Sequence, residues 1–291
     1  MLDTPSFIVL QDSRKLCYQE YGAPDGDTVI YAHGGPSCRL EGEIFHEAAI
    51  AKGFRIIATD RPGYGQSDVH PHHSLPDYVD DIEQLTAALE IDMFAHIGWS
   101  GGGPPTLAVA RHIPERLTCA ISLAGMPGIE APEDRQLLSK ADRTAVKLLD
   151  KSPFMFRAFF GLMGALEKVV PESYYKSFIS ASGADDARIL SVPANKKIMQ
   201  RIQAEVFRTG SKGLAWDAEM DYEDFGFRPN EIEFPVHIFQ GNEDNFVSYE
   251  LQKKYAAMMP HAVWHDLPGR GHFFPMEMQM EILSLARAVM I

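Results

Sequence analysis

Residues 98–102 read Gly-Trp-Ser-Gly-Gly, and their surroundings constrain this chain more than any other stretch does. Before them, Met93-Phe-Ala-His-Ile97 is short and apolar, as a buried strand is. After them, Pro104-Pro-Thr-Leu-Ala-Val-Ala-Arg-His112 reads as a helix with proline in its first turn. A strand that feeds a helix through Gly-x-Ser-x-Gly makes a turn so tight that its neighbours must be small. Such a turn holds Ser100 in a strained conformation, its hydroxyl above a sheet edge and beside a helix N-terminus. A serine hydroxyl is a poor nucleophile until a base and an oxyanion site surround it. A chain built around this turn must supply both.

The first third alternates short apolar runs with helical patterns. Residues 7–10 and 16–21 read as an opening hairpin. Residues 28–32 and 55–59 read as buried strands, separated by a helix over 42–52. A helix over 76–89 carries Val79, Ile82, Leu85 and Leu89 on one face. Then come the strand before Ser100, its helix, and a strand over 117–123. This alternation implies a parallel sheet covered by helices on both faces.

The alternation stops after Gly125 and resumes at Pro235, a gap of roughly a hundred residues that is too long for a loop. Helices are expected over 137–149, 153–170 and 196–207, the second apolar around much of its circumference. The pattern closes with a helix over 248–258, a strand over 262–267 and a helix from Pro275. The expected division is a core of residues 1–126 and 230–291 with a helical lid inserted over 127–229.

Composition narrows the classes. The 291 residues are 45% hydrophobic and 23% charged, ordinary for a globular protein. A net charge of −13 without a basic run disfavours nucleic acid and anionic membrane surfaces as partners. The most apolar stretch, 154–170, is interrupted by Arg157, Glu167 and Lys168, leaving far fewer than the ~20 residues that span a bilayer. Cys17, Cys38 and Cys119 show no paired or zinc-type spacing, and the first residues lack the pattern of a secretory signal. A cytoplasmic protein acting on a small molecule is expected, with self-association left open. His70-Pro-His-His73 lacks partnering acids or cysteines and is not read as a metal site. The acidic stretch 217–224, broken by Met220 and Tyr222, is read as a solvated surface.

The base is sought among eleven histidines. His272 ends the glycine-punctuated turn Pro268-Gly-Arg-Gly-His272 after the last strand, at the carboxyl edge where open parallel sheets put their sites. His265 lies within that strand and is expected to face the core or the helices. Asp244 follows the strand at 236–240 and can orient the imidazole, with Glu243 as its competitor. The strand at 117–123 exits through Ala124-Gly-Met-Pro127, which has no acid. His33-Gly-Gly-Pro36 leaves backbone bare after a strand, so the N–H groups of Gly35 and Gly101 are the candidate oxyanion donors.

In order along the chain, His33-Gly-Gly-Pro36, Asp60-Arg-Pro-Gly-Tyr-Gly-Gln-Ser67, Gly98-Trp-Ser-Gly-Gly102, Gly241-Asn-Glu-Asp244 and Gly271-His272 resemble the α/β-hydrolase fold family over nearly the full length, the lid excepted. The resemblance implies Ser100 as nucleophile, His272 as general base and then acid, and Asp244 as its orienter, in the order Ser, Asp, His that this fold uses. It implies a structural role for the Asp60 loop, and neither metal nor organic cofactor. A serine at the turn argues against epoxide hydrolases and haloalkane dehalogenases, which use a carboxylate there.

The leading expectation is an esterase for small or medium apolar substrates, with Trp99, Phe154, Phe159, Leu162 and Met163 contacting substrate. His33-Gly-Gly-Pro36 and the Gly-Trp-Ser-Gly-Gly turn also resemble prolyl iminopeptidases, in which case Glu167, Glu172 or Glu205 would meet a substrate ammonium. Ser37-Cys38 departs from the further glycine usual in that family. A ligand-binding receptor on the same fold is the alternative outside enzymes.

Overall fold

The computed structural model describes residues 4–129, 131–222 and 225–290, and among these are eight strands and eleven α-helices. The amino-terminal part runs β1 (Ser6–Val9), β2 (Lys15–Gly22), β3 (Asp27–Ala32), α1 (His46–Lys52), β4 (Phe54–Thr59), α2 (Leu75–Ala88), β5 (Phe94–Trp99), α3 (Gly103–His112) and β6 (Leu117–Leu123). Six helices follow: α4 (Lys140–Lys151), α5 (Pro153–Val169), α6 (Pro171–Ala181), α7 (Ala184–Leu190), α8 (Pro193–Val206) and α9 (Lys212–Asp221). The chain then returns to the sheet through β7 (Val236–Gly241), α10 (Tyr249–Ala256), β8 (Val263–Leu267) and α11 (Gln279–Val289).

The strands form one sheet in the order β1-β2-β4-β3-β5-β6-β7-β8. The pairs β1–β2 and β2–β4 are antiparallel, and all others are parallel. Strand period explains why the central strands are apolar throughout. In β3, Val29 and Tyr31 enter one core cluster while Ile30 and Ala32 enter the other, so both faces are covered. Helices α1 and α11 pack on the first face, and α2, α3 and α10 on the second.

Local chemistry sets the helix ends. Ser74 caps α2: its hydroxyl accepts from the Asp77 amide, and the Asp77 carboxylate accepts from the Ser74 amide at 2.7 Å. The helix expected over 42–52 is divided, a 3₁₀ segment over Arg39–Phe45 preceding α1. That segment lies close against the sheet at Gly42, where a Cβ would lie 2.8 Å from the Ala58 Cβ and 2.9 Å from the Tyr21 ring. Among the described residues no helix is long and apolar enough to cross a membrane.

Candidate active site

Ser100 follows the last residue of β5 and has φ +56°. For a residue with a Cβ this left-handed backbone costs about 1–3 kcal/mol and is held only by dense surroundings. Its glycines provide them. A Cβ on Gly98 would collide with the Gly102 carbonyl and the Thr106 hydroxyl, and one on Gly102 with the Ala32 carbonyl. The Thr106 hydroxyl donates to the Gly102 oxygen at 2.9 Å. Thr106 therefore accepts from His96 Nδ1 at 3.0 Å, which leaves Nε2 to accept from the Tyr78 hydroxyl at 3.0 Å. Burial pushes the His96 pKa down to about 3, so a neutral ring braces the turn from below.

His272 stands on the turn after β8, and its Nδ1 lies 2.8 Å from Asp244 Oδ2. The Asp244 carboxylate, fully shielded, also accepts from the Phe246 and Val247 amides at 2.8 and 2.9 Å and from Gln240 Nε2 at 3.0 Å. Hydrogen bonds of this kind fix the carboxylate and, through it, the imidazole. Burial lowers the His272 pKa, but the charge and hydrogen bond of Asp244, with smaller contributions from Asp186 and Glu41, outweigh it and the net shift is upward. Glu243, the competing acid, is exposed. His265 stacks on Phe239 with ring centroids 4.1 Å apart and shares a hydrogen bond of 2.9 Å with His237.

Trp99 does not contact the cavity. It is 2% exposed, and its Nε1 donates to the His272 carbonyl at 3.1 Å, tying the strand before Ser100 to the histidine turn. Strand alternation explains the placement, since Trp99 shares a face with Ala95 and Ile97. From the helical insertion, α7 clasps the same turn. Asp185 accepts from the Gly271 amide at 3.1 Å and Asp186 from the Phe273 amide at 2.7 Å, one on each side of His272. Sequence reading missed this helix, which at seven residues is too short to show a period.

The loop after β3 supplies bare backbone. The Gly34 amide donates to Glu41 Oε1 at 3.0 Å, and Arg61 donates to the carbonyl oxygens of His33 and Gly34. Gly35 is left facing Gly101, its nitrogen 3.4 Å from where a Gly101 Cβ would stand. The two candidate oxyanion donors thus meet at one corner. Asp60 lies behind it, accepting from the Arg39 and Gln66 amides at 2.7 and 2.9 Å and pairing with the Arg39 guanidinium at 2.7 Å.

Above this corner is a mostly apolar cavity of about 580 Å³, lined by Gly35, Ser100 and Gly101 from the sheet side and by residues of α4, α5, α6 and α9. Phe159, Phe160 and Met163 line it. Phe154 and Leu162 do not: they are 80% and 58% exposed, on the outer side of α5. A helix apolar around much of its circumference carries only a weak phase, so its inner and outer faces look alike in the sequence.

The acidic stretch also departs from expectation. Asp217 is buried, not solvated. Its Oδ2 pairs with Arg61 Nε at 2.7 Å and its Oδ1 meets His73 Nε2, joining α9 to the loop after β4. Asp221, one turn on, lines the cavity. Glu223 and Asp224 lie outside the described residues, as do residues 1–3 of the amino terminus. The i, i+4 spacing of Asp217 and Asp221 puts both on one helix face, the one turned to the cavity.

The three acids considered for a substrate ammonium are elsewhere. Glu167 is buried within the insertion, Glu172 pairs with Lys196, and Glu205 pairs with Arg39; none lines the cavity.

A family model described as alpha/beta hydrolase fold matches residues 27–278. The chain belongs to that family. It is 25% identical over 277 residues to a non-heme chloroperoxidase of Streptomyces lividans, covering 91% of this chain and 92% of that protein. It is 24% identical over 277 residues to a bifunctional esterase/perhydrolase of Acinetobacter calcoaceticus, covering 92% and 93%. A proline iminopeptidase of Xylella fastidiosa is 36% identical, but over only 118 residues, 38% of this chain and 36% of that one. Among solved structures, a hydrolase from Pseudomonas aeruginosa PA01 superposes with a TM-score of 0.74 at 18% identity, covering 99% of both chains.

Proposed function

We propose that this α/β hydrolase is a serine carboxylesterase acting on small or medium, mainly apolar esters. The observation that carries the reading is the shielded His272–Asp244 pair, bound at 2.8 Å and tied through Trp99 to the strained turn whose serine opens on an apolar cavity.

In this reading Ser100 attacks the ester carbonyl while His272 takes its proton. The amides of Gly35 and Gly101 meet the oxyanion of the tetrahedral intermediate, where such donors are worth about 3 kcal/mol each. His272 then protonates the leaving alcohol, and water hydrolyses the acyl-enzyme by the same route in reverse. Asp244 holds the imidazole in the working tautomer and stabilises the imidazolium. No metal or organic cofactor enters these steps. Phe159, Phe160 and Met163 favour an apolar acyl or alcohol group by excluding water from it.

Glu167, Glu172 and Glu205, the acids expected to meet a substrate ammonium, all lie away from the cavity, which removes that support for an iminopeptidase reading. The test is release of p-nitrophenol from acetate, butyrate and octanoate esters, run beside proline p-nitroanilide. Ester turnover well above amide turnover, abolished in Ser100→Ala, is expected. Proline amide turnover far above ester turnover would overturn the esterase assignment. Silence of both substrates, with Ser100 inert to a fluorophosphonate, would favour the receptor reading.

A further inference from the structure

Three carboxyl groups line the cavity, and two of them are satisfied. Asp217 is held by Arg61 and His73. Asp142 accepts from the Tyr222 hydroxyl through one oxygen and from the Ser139 hydroxyl through the other, each at 2.8 Å. Asp221 is different. Its Oδ1 is shielded from solvent and has no hydrogen-bond partner among the described residues. Its Oδ2 lies 3.8 Å from where a Gly101 Cβ would stand, beside the corner at which the Gly35 nitrogen meets Gly101. A buried polar atom without a partner is costly, and more so on a carboxylate than on a neutral acid; Oδ2 is the oxygen on the Gly101 side, where the residue lines the cavity.

We propose that Asp221 is a specificity-determining residue whose carboxyl O–H donates a hydrogen bond to an acceptor oxygen on the substrate's acyl chain, close to the scissile carbonyl. The favoured class is then esters of alkoxy, oxo or similarly oxygenated short acids, rather than plain alkanoates. The inference rests on the serine-esterase reading and deepens it.

The surroundings decide between a neutral acid and an anion at this position. The charged groups facing Asp221 are Asp217 on its own helix, Arg61 from the loop after β4 and Asp142 from α4. Arg61 is already paired with Asp217, so among the described residues no uncommitted cation faces Asp221. Burial, reinforced by Asp217 and Asp142 against the opposing pull of Arg61, raises the Asp221 carboxyl well above the usual carboxylate range. These surroundings favour the neutral acid, whose O–H can donate. A buried carboxylic acid acting as a hydrogen-bond donor to substrate has precedent in enzyme chemistry.

The test compares p-nitrophenyl butyrate with p-nitrophenyl methoxyacetate, which differ by one CH₂-to-oxygen exchange at nearly constant shape. Each kcat/KM is normalised to the ester's own hydroxide reactivity. Wild type should prefer the methoxy ester by about tenfold, the scale of one hydrogen bond. Asp221→Leu should remove that preference by slowing the methoxy ester, with butyrate much less affected. Asp221→Asn, whose amide still donates, should keep part of the preference. It should also lose the fall in methoxy-ester kcat/KM that wild type shows as pH rises through the raised Asp221 pKa. Far-UV circular dichroism and melting temperature check that both variants fold.

An unchanged preference in folded Asp221→Leu would overturn the proposal. So would a wild-type preference for the cationic betaine ester that grows with pH and is lost in Asp221→Asn, which would make Asp221 an anion for cationic substrates. Butyrate turnover that survives in Ser100→Ala would instead strike the esterase reading itself, so the two failures are distinct.

Discussion

The indole N–H of Trp99 donates to the backbone oxygen of His272 at 3.1 Å, so the residue before the proposed nucleophile holds the residue that carries the proposed base. The two lie 173 positions apart in the chain and are joined by this one bond and by ring contact, with centroids 6.0 Å apart. Trp99→Phe keeps an aromatic body and removes the donor. Catalytic geometry is sensitive to ångström-scale displacement. The expected result is a fall in kcat of about tenfold with KM little changed, measured with p-nitrophenyl butyrate. A KM effect alone would mean that Trp99 serves substrate binding after all.

The acid limb of the pH profile follows from His272. Burial lowers its pKa, Asp244 raises it by more, and the net direction is upward from 6.5. The base works unprotonated, so kcat/KM should rise with pH through a value above 6.5. Asp244→Asn removes the charge that raises the pKa. The limb should move to lower pH, and kcat should fall by about 10⁴, as loss of the orienting acid does elsewhere. Stability carries the opposite sign. The raised pKa contributes fully below 6.5, and that contribution is lost as pH climbs through the folded-state value.

Asp217 and Arg61 form a buried pair, 6% and 2% exposed at their side chains. Removing one partner of such a pair leaves the other charge unmatched and costs about 3–5 kcal/mol. Asp217→Ala should therefore lower the urea midpoint markedly. Because Arg61 also holds the carbonyls of His33 and Gly34, activity should fall even at temperatures where the variant stays folded. Full activity in the folded fraction would show that the pair is structural only.

His96 makes the fold sensitive to acid. Its pKa lies near 3 in the folded chain because burial disfavours the charged ring, against 6.5 as the reference value. The neutral ring's contribution is present above 6.5 and is lost as pH falls toward 3, by at most about 1.4 kcal/mol for each unit. Urea unfolding at a series of pH values should show this slope. His96→Gln should flatten it, at the cost of lower stability at neutral pH.

What could be read from the sequence depended on how local the determining chemistry is. The tight turn at Ser100, the strand before it and the helix after it are set by glycines and proline within a few residues. The same holds for the turns that carry His33, Asp244 and His272, and their order along the sheet edge follows from strand alternation. The insertion resisted for the opposite reason. In α5, Phe154 faces solvent at 80% exposure while Phe160 is 8% exposed, and a helix apolar around much of its circumference marks its inner face only weakly. Asp217 looked solvated because the cation that buries it, Arg61, lies 156 positions away. Helix α7 was missed because it is short, although Asp185 and Asp186 clasp the turn that carries His272.

The central claim concerns one oxygen atom. Intact-protein mass spectrometry after treatment with a fluorophosphonate, followed by peptide mapping, tests it most directly. A single adduct on Ser100 is expected, absent in Ser100→Ala and strongly slowed in His272→Ala. An adduct on any other residue, or ester hydrolysis that persists while Ser100 stays unlabelled, would contradict it.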